Sequence, residues 1–501
     1  MEWRNVRRIY QVFFFGLFLS LLYLASYGRL TDHLVAFFLD SDPLIALGSL
    51  LSSRVLFHGL AFSVVVVVLT LVFGRVFCSW ICPLGILNHV MSALPSILKK
   101  RQRMIGNEWR PVYQTKYYVL LTLLVLSAFG LLQVGLLDPI ALVTRSFAVT
   151  VFPGLQQAGV PIYAVQPSYL GGWLIGVLFL AILVANRWVM RLWCRLLCPL
   201  GALLGGIARF SLFRIHRDAD KCNDCHKCSV ACHGACNPHS NIRVSDCVMC
   251  LNCLGHCDQG ALGYRFLPDA RGEAPAPDLT RRKTLAAVAS GVALVPVLRA
   301  SHGVKAGADH DLIRPPGSLV EADFAAKCIK CGACIRVCPT GVLQPAAFQA
   351  GIEGLWTPVL RYDVGSCTHT CNLCSQVCPT GAIRPISIVD RLGSPPDKEP
   401  IRLGTAFFHR GRCLPWAMAT PCIVCEEVCP TSPKAIWVEQ TEVRRHDGQT
   451  IKLQLPHVDP KLCIGCGVCQ NRCPVGAMAA IQVSSVGESR SPENQILIKS
   501  Y

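Results

Sequence analysis

Long apolar runs fill the first two hundred positions of this 501-residue chain, and short apolar pairs set among cysteines, glycines and prolines fill the rest. Four runs, at 10–26, 55–73, 118–137 and 170–190, approach the ~20 residues a helix needs to cross a bilayer. They predict an α-helical, four-helix-bundle membrane domain. Pairs such as Ala382-Ile383 and Ala435-Ile436, behind two later cysteine groups, predict short strands of α+β units. A further apolar stretch, Leu285 to Leu298, follows a Pro-rich linker (Leu267 to Leu279) and the segment Thr280-Arg281-Arg282-Lys283-Thr284. At an N-terminus that segment would read as a twin-arginine export signal for a protein folded around its cofactors. Lying inside the chain, it reads as a fifth, anchoring span. It is short and contains Pro296, so an amphipathic linker helix is the alternative.

Charge orients the bundle. Arg4, Arg7 and Arg8 precede the first run, and Lys99, Lys100, Arg101, Arg103, Arg110 and Lys116 lie between the second and third. The remaining connections are poor in cations: Arg29 and Arg54 are offset by Asp32, Asp40 and Asp42, and the later one holds Arg145. The positive-inside rule puts the N-terminus and the 89–117 loop in the cytoplasm. The fourth run then returns the chain there, ahead of Arg209, Arg214, Arg217 and Lys221. A net charge of +17 raises nucleic acid as a partner, but much of the charge flanks apolar segments, so lipid, not nucleic acid, is the expected contact. With 52% hydrophobic and 16% charged residues, the chain is too apolar for an ordinary soluble protein.

Two segments repeat. Arg75-Val-Phe-Cys78-Ser-Trp-Ile-Cys82-Pro83-Leu84-Gly85 and Arg191-Leu-Trp-Cys194-Arg-Leu-Leu-Cys198-Pro199-Leu200-Gly201 match at nearly every constrained position, each closing an even-numbered run. The runs then form two hairpins related by a pseudo-twofold axis along the membrane normal. Where the repeats meet, the thiols of Cys78, Cys82, Cys194 and Cys198 could hold a metal or small cluster, form a redox-active set, or simply pack.

The other 25 of the 29 cysteines fall in dense groups. A middle block holds Cys222, Cys225, Cys228, Cys232, Cys236, Cys247, Cys250, Cys253 and Cys257. Four later groups each end in Cys-Pro: Cys328, Cys331, Cys334, Cys338; Cys367, Cys371, Cys374, Cys378; Cys413, Cys422, Cys425, Cys429; and Cys463, Cys466, Cys469, Cys473. The spacing Cys-x2-Cys-x2-Cys-x3-Cys places three thiolates on one 4Fe–4S cluster and sends the fourth to its neighbour. Zinc knuckles do not recur six times in this form. A disulfide scaffold fits poorly, because its cysteines do not repeat at ferredoxin spacing. Six clusters use 24 of the 25, leaving Cys232 or Cys236 spare. His233 and Asp258 stand where Pro is usual, which makes Cys236 a serious competitor. His226, His233, His239 and His256 read as surroundings of the thiolates, not as ligands. Among the later groups, the regular first and fourth are expected to exchange fourth ligands, and the irregular second and third likewise, giving two nested modules. Folding of this region is expected to require cluster insertion.

At these residues the chain resembles two families joined end to end. To about Phe266 it is similar to NapH-type membrane subunits of bacterial quinol dehydrogenases, with four spans, paired Cys-x3-Cys-Pro and a cytoplasmic two-cluster ferredoxin. From about Thr280, including Arg314-Pro-Pro-Gly317 ahead of Cys328, it resembles NapG-type ferredoxins, and the MauN and MauM pair shares both architectures. The expected domains are 1–208 in the membrane, 209–266 as the cytoplasmic ferredoxin, 267–302 as linker and fifth span, and 303–501 as a periplasmic four-cluster ferredoxin of a bacterial inner-membrane protein. The resemblance implies electron transfer from the quinol pool to a periplasmic reductase, dehydrogenase or cytochrome, nitrate reductase being one such acceptor. The alternatives are a redox maturation factor for a periplasmic dehydrogenase and a copper reductase acting at the cytoplasmic face. Candidate quinol contacts are His58, His89 and Asp138, ionisable residues in or beside apolar runs. With two clusters expected inside and four outside, about 30 Å of hydrocarbon lies between them. The residues after Ser484 read as a polar tail.

Overall fold

The computed structural model describes residues 3–26, 36–55, 57–94, 106–162, 167–267, 273–274, 277, 279–303, 312–393, 398–444, 448, 450–491 and 493–494. Lys99, Lys100, Arg101 and Arg103, on which much of the charge asymmetry rests, lie outside them, as does most of the Pro-rich linker.

Among the described residues, nine longer helices build the first three hundred positions: α1 (Trp3–Ser26), α2 (Pro43–Ser53), α3 (Ser63–Phe73), α4 (Pro83–Ala93), α5 (Thr115–Ala128), α6 (Pro139–Ser146), α7 (Gly172–Ala185), α8 (Pro199–Ala208) and α9 (Arg281–Gly303). Proline sits at the first turn of α2, α4, α6 and α8, where its missing N–H costs nothing. Gly74 stops α3 and Gly130 follows α5, both with positive φ. Gly130 falls inside the run 118–137 and shortens that expected span. Of the run 118–137 only Thr115–Ala128 is one helix, 14 residues or about 21 Å, short of the ~30 Å hydrocarbon core. Among the described residues, two helices are long and apolar enough to cross a bilayer, Trp3–Ala25 and Arg281–Ala300. The outward faces of the others are nonetheless apolar: Val64, Val65 and Val68 on α3, and Trp173, Leu174, Val177 and Leu180 on α7, are all exposed.

Helix α9 lies parallel to α5. Thr280 N–H donates to the Tyr118 hydroxyl, the Thr122 hydroxyl to Ala287 O, and Arg299 to Phe129 O, in the same order along both chains. Gly291 lets the two approach, since a Cβ there would lie 2.8 Å from Val125. So α9 carries the chain from the end of the bundle that starts α5 to the end that finishes it.

The two cysteine-rich units cap those two ends. Residues 213–266 form a small unit closed by the antiparallel pair β1 (Phe213–Arg217) and β2 (Leu262–Phe266). It meets the start of α1 through Arg7 to Asn252 (2.7 Å), and the start of α5 through Lys116 to Asp246 (2.6 Å). Trp80, in the turn after α3, donates to Met249 O at 3.0 Å. The later unit carries β3 (Leu343–Pro345) with β4 (Pro358–Leu360), β5 (Thr405–Phe408) with β8 (Ile481–Ser484), and the long hairpin β6 (Ile436–Arg444) and β7 (Thr450–Val458). It meets the opposite ends of the helices. Ser52 donates to Ala326 O (2.7 Å), Gln344 to Ser168 O (2.9 Å), and Lys330 to Gln133.

Arg314-Pro-Pro-Gly317 is structural. The buried Arg314 guanidinium donates to both Glu321 oxygens, to Thr357 Oγ1 and to Pro358 O (2.8 Å each for the last two), over the Phe324 ring. Arg490 also reaches Glu321, at 2.8 Å. Burial pushes the Glu321 carboxyl up, but Arg314 and then Arg490 pull it further down, to about 2 from an ordinary 4.5. A depressed carboxylate stabilises the fold above its unfolded value, and that contribution is lost as pH falls towards the folded one. Wild type is therefore expected to exceed Glu321→Gln in stability by at most about 3 kcal/mol at pH 7. The gap should begin to close below about pH 4.5. Denaturant titrations of both chains, compared at each pH, check this, because acid lability of clusters common to both cancels.

Candidate functional site

The four regular Cys-x2-Cys-x2-Cys runs share one backbone device. The residues on either side of the second cysteine take positive φ: Asp224 and His226, Met249 and Leu251, Lys330 and Gly332, Gly465 and Gly467. Two left-handed residues around one cysteine fold the run into a loop that turns its three thiols inward. Only glycine adopts this without strain, so Met249, Leu251 and Lys330 store backbone strain of order 1 kcal/mol or more each. Strain of that kind marks a functional site.

The fourth thiol of each set comes from elsewhere. Cys378 faces Cys328, Cys331 and Cys334, while Cys338 faces Cys367, Cys371 and Cys374. Cys429 lines one cavity with Cys463, Cys466 and Cys469, and Cys473 faces Cys413. Exchange therefore runs between the first and second groups and between the third and fourth. The nested pairing expected from spacing is not the one the fold makes. Spacing irregularity, a loop in the second group and the short helix Leu414–Met418 in the third, does not select a partner. The two modules touch where Cys367 N–H donates to Cys466 O at 2.9 Å, with the buried Tyr362 hydroxyl on Gly465 O. Sulfurs of the Cys-Pro positions accept backbone N–H groups, Ile383 to Cys378 at 3.5 Å and Ala480 to Cys473 at 3.4 Å.

In the middle block, Cys222, Cys225, Cys228 and Cys257 line one cavity together with His226, His239 and His256. Cys225 is exposed, so this group lies at the solvent end. Cys222-Asn-Asp-Cys225-His226 also has the c-type haem spacing. Its two cysteines share a cavity with Cys228 and Cys257. The second group takes both candidates for its fourth member. Cys236 Sγ lies 3.4 Å from Cys232 Sγ. Hydrogen bonds to Cys232 and Cys247 push the Cys236 thiol well up, and the same bond brings Cys232 down to about 6. Cys232 also faces Cys250 and Cys253, which makes it the fourth member that the fold favours.

All 29 cysteines are free thiols. Among the described residues no three His, Cys, Asp or Glu gather closely enough to hold a single metal ion. Sets of four soft thiols that are grouped but held apart suit a cluster wider than one ion, and the donor chemistry fits iron and sulfide.

At the repeat, Cys78, Cys82, Cys194 and Cys198 are close enough to feel one another's charge without closing on a point. The pseudo-twofold is visible in the arginines. Arg191 donates to Cys78 O and Gly85 O (3.1 Å each), while Arg75 reaches across to within 3.0 Å of where a Gly201 Cβ would be. Arg75 also donates to Ser245 O at 2.9 Å and approaches Cys78 Sγ at 3.9 Å, tying the repeat thiols to the second middle group. Asn88 donates to Cys194 Sγ at 3.4 Å.

The quinol candidates separate. His58 opens a 3-10 turn, and its side chain lies outside the described residues. His89 bonds Ser79 Oγ at 3.0 Å and stacks on His233, centroids 4.4 Å apart, at the junction with the middle unit. Asp138 is fully buried, capping α6, and its charge reaches Cys82. The fold does not bring His89 and Asp138 together.

The sequence matches the family description "4Fe-4S binding domain" at 55–104 and again at 169–218, the two copies of the Cys-x3-Cys-Pro segment with the apolar run before each. A "4Fe-4S dicluster domain" matches at 327–382, the first sequential pair, and a "4Fe-4S binding domain" at 456–479. The methylamine utilization ferredoxin-type protein MauM of Paracoccus denitrificans is 34% identical over 41% of this chain and 87% of its own length. The ferredoxin-type protein NapH of Haemophilus influenzae is 27% identical over 53% of this chain and 91% of its own. YccM of Escherichia coli is 29% identical over 38% of this chain, which spans about half (51%) of YccM. No solved structure matches the chain.

Proposed function

Because the chain belongs to the NapH- and MauM-type polyferredoxins, and is thus an iron–sulfur electron-transfer protein, we propose that it carries electrons from membrane quinol, through six 4Fe–4S clusters, to a periplasmic redox enzyme. The observation that carries this reading is the gathering of thiols in six successive groups, two at one end of the helical domain and four at the other. We assign the clusters, in order, to Cys222, Cys225, Cys228 and Cys257; Cys232, Cys247, Cys250 and Cys253; Cys328, Cys331, Cys334 and Cys378; Cys338, Cys367, Cys371 and Cys374; Cys429, Cys463, Cys466 and Cys469; and Cys413, Cys422, Cys425 and Cys473. When bound, such clusters supply one-electron redox chemistry. The protein's part is to bury the thiols, hold neighbouring groups in contact as Cys367 and Cys466 do, and aim N–H groups at sulfur. Cys236 is then the spare thiol, beside Cys232.

In this reading residues 1–208 span the inner membrane four times, the short helices being completed by their flanking turns, with 209–266 cytoplasmic. Helix α9 crosses a fifth time, and its parallel packing on α5 supports placing 303–501 in the periplasm. Quinol would bind within the helical domain, with His58, His89 and Asp138 as candidate contacts. The similarity to MauM favours a second reading of the same machinery, in which the electrons serve maturation of a periplasmic dehydrogenase.

Anaerobic addition of a quinol analogue to the purified protein is the test. Bleaching of the cluster absorbance, with reduced-cluster signals in electron paramagnetic resonance, is expected; an unchanged spectrum overturns the quinol step.

A further inference from the structure

Five thiols gather at the second middle group, where each other group has four. Cys232, Cys236, Cys250 and Cys253 are buried and Cys247 is half-buried. Cys232 Sγ and Cys236 Sγ lie 3.4 Å apart, and among the described residues no other two cysteine sulfurs are in hydrogen-bonding contact. The backbone treats both as ligands, in different ways. Cys236 N–H donates to Cys232 Sγ at 3.4 Å, as Ala261 N–H does to Cys257 at 3.3 Å and Ala480 N–H to Cys473 at 3.4 Å. Cys232 is thus held like the fourth member of another group. Cys236 is held like a second member. Ala235 and Asn237 on either side of it have φ of 54° and 50°, the left-handed pair that also flanks Cys225, Cys250, Cys331 and Cys466. Side-chain-bearing residues rarely adopt that conformation.

The loop that carries both thiols is pressed onto the rest of the group. A Cβ at Gly234 would lie 2.4 Å from the carbonyl oxygen of Asp246, the residue before Cys247. Cys236 O accepts from Arg243 N–H at 3.0 Å, and Arg243 O from Cys247 N–H at 3.1 Å. Asn252, next to Cys253, donates to the carbonyl of Ala231, next to Cys232, at 3.4 Å. The buried Arg195 holds Cys232 O (3.3 Å) and His233 O (3.0 Å). The sequence does not choose between the two: His233 follows one cysteine and Asn237 the other, where Pro is usual.

We propose that Cys232 and Cys236 are alternative fourth ligands of the second middle cluster, each able to close the site alone. Cys247, Cys250 and Cys253 leave one corner of the cube open. Two sulfurs in contact are too close to take two corners, so they serve singly. The two forms differ by one Fe–S bond and one proton: where Cys236 binds, its proton has passed across the 3.4 Å contact to Cys232. Neither form needs an oxidant or a reductant. The inference rests on the iron–sulfur reading of these thiols and makes the spare one a reserve ligand.

Iron and acid-labile sulfide in anaerobically prepared full-length variants test it. Cys232→Ala and Cys236→Ala are each expected to keep the wild-type content of about 24 irons. The double variant should fall by about four irons, or show a three-iron cluster in electron paramagnetic resonance. A fall in either single variant overturns the proposal, because the thiol removed was then indispensable. Wild-type content in the double variant overturns it too, since neither thiol then ligates. A wild type far short of about 24 irons sinks the iron–sulfur reading itself, whereas a fall confined to one single variant of a loaded wild type sinks the reserve ligand alone.

Discussion

Anaerobic removal of iron is expected to unfold residues 312–491 while leaving α1 to α8 helical. Among the described residues of the later unit the longest helix is Glu321–Lys327, seven residues, and every sheet has two strands. Ten of its sixteen cysteines are buried, and the largest fully buried side chains there are Arg314, Arg336, Arg391 and Phe324. Short elements around thiols and hydrogen-bonded arginines bury too little hydrocarbon to offset the chain entropy lost on folding. The missing free energy must come from cluster ligation, which makes folding and iron binding one transition. The first two hundred residues have an aliphatic and aromatic core, with Leu44, Ile45, Leu60, Leu84, Leu132 and Ile140 all at 0% exposure, and need no metal to persist. Hydrogen exchange after chelation should show protection lost throughout 312–491 and retained in α1 to α8. Retained protection in both regions would show that the later unit has a sufficient core of its own.

Gly135→Ala is expected to loosen the later unit from the helices without costing it iron. A Cβ at 135 would overlap the carbonyl oxygen of Ile329, a backbone atom that no rotamer change can move aside. Around this contact lie the Lys330 bond to Gln133, the Arg145 bond to Lys330 O at 2.9 Å, and Arg145 stacked over Trp356, so the strain falls on the junction itself. Overpacking of this kind costs roughly 1–3 kcal/mol, which corresponds to about tenfold or more in local opening. Amide exchange should rise by that factor in 134–146 and 326–336, with iron content unchanged. Gly154→Ala, where a new methyl would meet nothing within 4 Å, should leave both segments as they were. Equal exchange in the two variants would mean the units are not held at Gly135.

What was legible in the sequence follows a physical line. Three thiols within a regular run are fixed by local backbone, and spacing read them. The fourth depends on how distant segments pack, so the nested pairing drawn from spacing failed where the first group meets the second. Hydropathy located the apolar runs but overestimated the helix in 118–137, because it does not weigh Gly130 as a break. The Cys-x3-Cys-Pro repeat was visible as a motif. The crosswise reach of Arg75 and Arg191 was not, since it depends on the two repeats facing each other.

Quantifying metal and acid-labile sulfide in anaerobically prepared full-length protein tests the central claim most directly. Six clusters require about 24 irons and about as many sulfides per chain, with zinc absent. Zinc in place of iron, or iron at a small fraction of that number, would contradict the assignment of these thiols to an electron-carrying series.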